Sequence, residues 1–133
     1  MEFSYNPDKA IDAKRWLSLE ESERLHFVQR YHRKKRVRLP NARLHAVIHV
    51  VVENQVAMGA EIPVGSTLSR LMREGLSRHN AIHAIGTILA GHLYELMKEG
   101  PQSTDANSTY YSELDKLTAE SWLNSFTGGI DGE

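Results

Sequence analysis

The sequence predicts an all-α fold: a compact single-domain bundle of about five to seven helices, with residues 41–58 and 77–98 forming the two central ones. Three observations predict it. Apolar residues recur at three- and four-residue spacing in the segments between turn signals, which is the period of a helix. Helix caps and stop signals bound most of those segments. The most apolar stretch, NARLHAVIHVVVENQVAM, runs about 18 residues between Pro40 and Gly59 without a turn signal, far longer than a usual strand.

In chain order, Asn6-Pro7 reads as a cap with proline at the first helical position, opening a short helix toward Trp16. Ser18 with Glu21 reads as a capping box for a second helix, with Glu20, Glu21 and Glu23 crowding its first turn. Leu25, Phe27 and Val28 face inward, and RKKR suits the negative C-terminal end of the dipole before Leu39-Pro40 stops the helix. The central stretch is rich in β-branched residues, which favour strands, and length decides for a helix. There Leu44, Ile48, Val51 and Gln55 form one stripe, with His45, His49 and Glu53 on the flank beside it.

Gly59 and Pro63 bound a connection. Residues 67–74 form a short helix stopped by Gly75, and Ser77 caps a long helix reaching Lys98 before Gly100-Pro101. Ile82, Ile85, Leu89, Leu93 and Leu96 give that helix its apolar side. Gly86 and Gly91 inside it each cost about 1 kcal/mol relative to alanine, which points to close approach of another backbone. After a polar loop, QSTDANST, one or two short helices follow. Thr118 with Ser121 starts the last of them, with Trp122 and Phe126 packing inward, and residues 1–5 and 127–133 are expected to fray.

The chain has 133 residues, 41% apolar and 25% charged, as in ordinary soluble globular proteins, and fits one domain, 1–133. No apolar run approaches the roughly 18–20 residues of a membrane span. The N-terminus shows no secretory h-region, so the expected location is cytoplasmic. With no cysteine, thiolate chemistry and disulfides are excluded. Net charge is −1, but residues 24–43 hold eight Lys or Arg and no acid.

Four of the seven histidines fall in two H-x-x-x-H pairs, His45/His49 and His79/His83. Residues four apart share a helix face, so each pair converges on one point. Two such pairs on adjacent helices can hold Zn²⁺, Fe²⁺ or Mn²⁺. Glu53, one turn beyond His49, can be a fifth ligand, a partner behind the ligands, or a base. H-A-V-I-H lacks the glutamate of zinc-protease helices. His92 is out of phase with His83 and pairs locally with Glu95; His26 and His32, on the basic helix, read as surface residues. Set against the metal is a buried histidine hydrogen-bond network that only fixes helix packing.

NARLHAVIHVVVENQVA, followed by RLMREGLSRHNAIHAIG, resembles the bacterial domain-of-unknown-function family 1841. The likeness spans roughly residues 39–100 and falls on Asn41, His45, His49, Gln55, His79, His83 and Glu95. It implies a small helical cytosolic bacterial protein and brings no established activity. Where the family pattern has an acidic residue one turn after the second pair, this chain has Thr87. If that acid is a ligand in the family, a site here is altered or absent.

Two other function classes compete with metal binding. A nucleic-acid or ribosome-associated module would use the basic segment 30–43, with Arg30, Arg33, Lys34, Lys35, Arg36 and Arg38 on phosphates and Tyr31 stacking. A non-catalytic interaction module or homodimer would use the apolar faces of the central helix together with Gly86 and Gly91. No nucleophile elbow and no phosphate-binding glycine loop is present.

Overall fold

A computed structural model of the chain describes residues 3–35, 41–99 and 106–125. Among these the fold is all-α, with seven helices: α1 (Ala13–Ser18), α2 (Glu21–Lys34), α3 (Ala42–Ala57), α4 (Val64–Arg73), α5 (Arg78–Glu99), α6 (Ala106–Lys116) and α7 (Ala119–Asn124). A single 3₁₀ turn, Gly59–Glu61, links α3 to α4. No described helix is long and apolar enough to cross a membrane.

α3 is the axis of the bundle and packs against α1, α2, α4 and α5. Asn41 starts it by accepting the Leu44 N–H at 3.0 Å on its side chain. At 100° per residue its surface divides into three stripes. Ala46 and Val50 face one core with Tyr5, Trp16 and Val28. Val52 faces the other, with Leu68, Leu71, Ile82, Ile85, Leu114 and Trp122. His45, His49 and Glu53 lie between these stripes, at the seam of the two cores, so α3 delivers a polar line between two apolar clusters.

α5 crosses α3 at Gly86. A methyl group at that position would meet Ile48 Cγ2 at 2.8 Å, so glycine sets how closely the two helices approach. Gly91 lacks that reason: nothing lies within 4 Å of its missing Cβ. Ser77 Oγ accepts the Asn80 N–H at 3.1 Å and starts α5. Just before it, Gly75 turns the chain with φ 115°, a left-handed conformation that favours glycine.

The beginning of the chain departs from the sequence expectation. Asn6 Oδ1 accepts the Asp8 N–H at 2.9 Å, and the Lys9 N–H donates to the Asn6 carbonyl at 3.0 Å. Asn6-Pro7 is therefore a turn, and the first helix begins only at Asp12, whose side chain accepts the Lys14 N–H. Ser18 ends α1 instead of starting α2: its hydroxyl donates to the Arg15 carbonyl. The capping box sits two residues later, where Glu23 Oε1 accepts the Glu20 N–H at 2.9 Å. The break lets Trp16 turn fully inward and donate its indole N–H to Asn54 Oδ1 at 2.8 Å.

Other boundaries shift little. α4 starts at Val64 rather than 67, because the Pro63 carbonyl accepts both Thr67 N–H and Thr67 Oγ1. Thr118 and Ser121 form a capping box at α7, and Trp122 is buried. Leu44 and Leu93, assigned to apolar stripes, are 53% and 39% exposed, near the ends where fewer helices cover them. Phe126, the segments 36–40 and 100–105, and the tail 127–133 lie outside the described residues.

A five-histidine candidate metal centre

The two histidine pairs face each other. His49 Nε2 and His83 Nε2 are 3.0 Å apart, across the α3–α5 contact that Gly86 permits. Nitrogens bound to one ion at about 2.1 Å, with angles of 90–109°, stand about 3.0–3.4 Å apart. That contact is a hydrogen bond between the two imidazoles, at a spacing that two ligands on a shared ion would also have.

A fifth histidine joins them. His32, expected at the surface, is 5% exposed and packs against His45 and His49, with ring centroids 4.8 and 5.0 Å away. It sits one turn beyond Val28 on the buried face of α2, so it continues the stripe that Leu25 and Val28 begin. His49 is the hub: its ring contacts those of His32, His45, His79 and His83 at 4.8–5.4 Å. Two overlapping triads result, His32/His49/His79 and His45/His49/His83, each with its ligand nitrogens within 4.8 Å of one another.

Among the described residues, the buried Nε2 atoms of His32, His45 and His79 have no protein hydrogen-bond partner. A buried polar atom left without any partner costs about 1–3 kcal/mol. Three of them together equal a large part of the roughly 5–15 kcal/mol by which a whole domain is stable. Nitrogens that converge and point at no protein group are what a ligand-binding centre needs, and what a closed histidine network would avoid.

The groups behind the ligands fix which nitrogen is available. Tyr5, 5% exposed, donates its single phenolic proton to Glu53 Oε2 at 2.8 Å. Its oxygen can then only accept, so the His49 Nδ1–H donates to it at 2.9 Å and leaves the Nε2 lone pair facing the cluster. His32 Nδ1 is likewise engaged by the Val28 carbonyl at 3.0 Å, which requires its N–H there and frees Nε2. Imidazole ligands are held this way in metal proteins.

Glu53 belongs to neither triad. Arg78 clamps it with Nη1 to Oε2 and Nη2 to Oε1, both at 2.9 Å, in an ion pair whose side chains are 5% and 1% exposed. Arg78 Nη1 also donates to the Pro7 carbonyl, and Asp8 Oδ1 accepts the His79 N–H, so the N-terminal segment is stitched to α5. Tyr5 lies in the stretch expected to fray; its contacts hold it in the core instead. The order Arg78–Glu53–Tyr5–His49 is a chain of donors and acceptors running from α5 through α3 and the N-terminal segment to the hub imidazole.

All five imidazoles are pushed toward the neutral form that binds metals. Burial, followed by the charges of the neighbouring histidines, lowers His32 to about 4 and His83 to about 3. The same causes hold His49 well below the usual value. Burial lowers His45, and it lowers His79 against a smaller opposing pull from Asp8. Burial first, then the Glu53 charge, raises the Tyr5 phenol well above its usual value, so it stays a proton donor.

The remaining sequence candidates lie elsewhere. Arg30, Arg33, Lys34 and Lys35 are exposed at the end of α2, while Arg36 and Arg38 fall outside the described residues. His26 is exposed. His92, assigned to Glu95, stacks on the Tyr110 ring with centroids 5.3 Å apart. Thr87, where an acid was expected from the family pattern, is exposed and donates its hydroxyl to the His83 carbonyl at 3.0 Å. The position is spent locally, and α2 supplies the additional imidazole. No protein-family model, curated protein or solved structure matches this chain.

Proposed function

We propose that the protein binds a transition-metal ion in the histidine cluster formed by α2, α3 and α5. The observation that carries this reading is the convergence of buried, neutral nitrogens around His49, three of them without a protein partner. His32, His45, His49, His79 and His83 are the available donors. The Tyr5–Glu53–Arg78 chain orients the hub. Neutral nitrogen donors suit Zn²⁺ or Fe²⁺ better than Mn²⁺, which prefers carboxylate oxygens, and the one buried carboxylate among the described residues is already held by Arg78.

A bound ion here supplies a Lewis acid in a buried site. Whether it serves catalysis, redox chemistry or sensing depends on what else reaches it. The test is elemental analysis of protein purified without an affinity tag and reconstituted with Zn²⁺ or Fe²⁺. A stoichiometric ion that is lost in His49→Ala supports the proposal. Less than about a tenth of an equivalent after reconstitution rejects it and favours a structural histidine network.

A further inference from the structure

We infer that the centre holds one ion, not two, and keeps an open coordination position that takes a small exogenous anion. The inference rests on the metal reading above and deepens it. The two triads share His49, and its Nδ1 is committed to Tyr5. One lone pair remains on that ring, so only one triad can be completed by it at a time. A second ion would have to strip His49 from Tyr5 and break the donor chain to Glu53.

An ion in either triad receives three imidazole nitrogens from the set that shares the hub. Three protein ligands leave a fourth position open, as in catalytic rather than structural zinc sites. Among the described residues no carboxylate belongs to either triad: both oxygens of Glu53 are occupied by Arg78 and Tyr5, and Asp8 Oδ1 accepts the His79 backbone N–H. The pair of Glu53 and Arg78 is neutral as a unit, so no anion bound directly within the triads offsets the charge of a divalent ion. Burying such charge is costly, and an exogenous anion bound directly to the ion relieves it. His32 and His49 are buried, whereas His45, His79 and His83 are half-buried and lie nearer the solvent. Hydroxide derived from water is the resident that fits, and azide is the probe.

The experiment uses the full chain loaded with Co²⁺, whose visible spectrum reports its ligands. The protein is titrated with sodium azide at constant ionic strength, with sodium sulfate as the control. The expected result is saturation at one cobalt per chain, then a new charge-transfer band that saturates at one azide per cobalt at roughly millimolar azide, with no response to sulfate. Two cobalt ions per chain would overturn the inference. So would one tightly bound cobalt whose spectrum is unchanged at about 100 mM azide, which would mean a closed shell of histidines. Failure to bind any cobalt removes the inference together with the metal reading, while cobalt bound without azide removes the inference alone.

Discussion

Replacing Tyr5 with phenylalanine keeps the ring and removes one oxygen, so it isolates the connection between Glu53 and His49. In the native protein that oxygen donates to Glu53 Oε2 at 2.8 Å and accepts from His49 Nδ1 at 2.9 Å. Glu53 is not orphaned by the change, because Arg78 Nη1 still reaches Oε2 at 2.9 Å. The His49 Nδ1–H is orphaned, in a side chain only 1% exposed. One buried donor without a partner costs about 1–3 kcal/mol, so Tyr5→Phe is expected to destabilise the metal-free protein by about 2 kcal/mol. Losing the group that orients a metal ligand typically weakens metal affinity about 10–100-fold. Urea unfolding in the presence of a chelator measures the first effect, and Zn²⁺ competition against a chromogenic chelator measures the second. A variant within about 0.5 kcal/mol of the parent, with Zn²⁺ affinity within about twofold, would refute the reasoning.

Three further predictions follow from the same contacts. Folded-state values near 4 for His32 and near 3 for His83 lie below the unfolded value of 6.5, so the unfolded chain binds more protons as pH falls. Stability is therefore full well above pH 6.5 and falls through that value toward pH 4 for His32 and pH 3 for His83; at pH 5.5 these two groups together remove about 2–3 kcal/mol. A urea midpoint that is unchanged between pH 7.5 and 5.5 in chelator would contradict this. Arg78→Met strands the Glu53 carboxylate in the core and is expected to cost about 3–5 kcal/mol, and Glu53→Gln in the same chain should restore a large part of it. Thermal melts of the single and double variants decide, with a double variant no better than Arg78→Met as the contrary result. Gly86→Ala forces a methyl group to 2.8 Å from Ile48 Cγ2, so overpacking of about 1–3 kcal/mol outweighs the helix-propensity gain of about 1 kcal/mol. Gly91→Ala meets nothing and is expected to stabilise slightly; equal effects at the two sites would show that the close approach at Gly86 is not tight.

The two central helices were legible because their signals are local. Asn41 and Ser77 cap them, Gly75 marks the turn between α4 and α5, and apolar spacing carries their length. The histidine pairs were legible for the same reason, since a four-residue spacing on a helix fixes a shared face. His32 was not. It lies in RYHRKKR, where the surrounding charge suggests solvent, and only its register with Leu25 and Val28 hints at burial. Tyr5 had no local signal at all: its partners are 44 and 48 residues away. The clamp on Glu53 was hidden in the same way, because Arg78 is 25 residues distant and meets it only once α5 folds back across α3. The misplaced start of α2 has a different cause. By residue type Ser18 is the better cap, and the burial of Trp16, a tertiary effect, moves the start to Glu20.

The central claim is that His49 is the hub of a metal centre, and anomalous X-ray scattering tests it most directly. Crystals grown with Zn²⁺ and measured on both sides of the zinc absorption edge should show one strong peak about 2.1 Å from His49 Nε2, with His49 Nδ1 still bonded to Tyr5. Crystals grown with excess Zn²⁺ that show no peak among His32, His45, His49, His79 and His83, or zinc only at surface residues such as His26, would contradict the account.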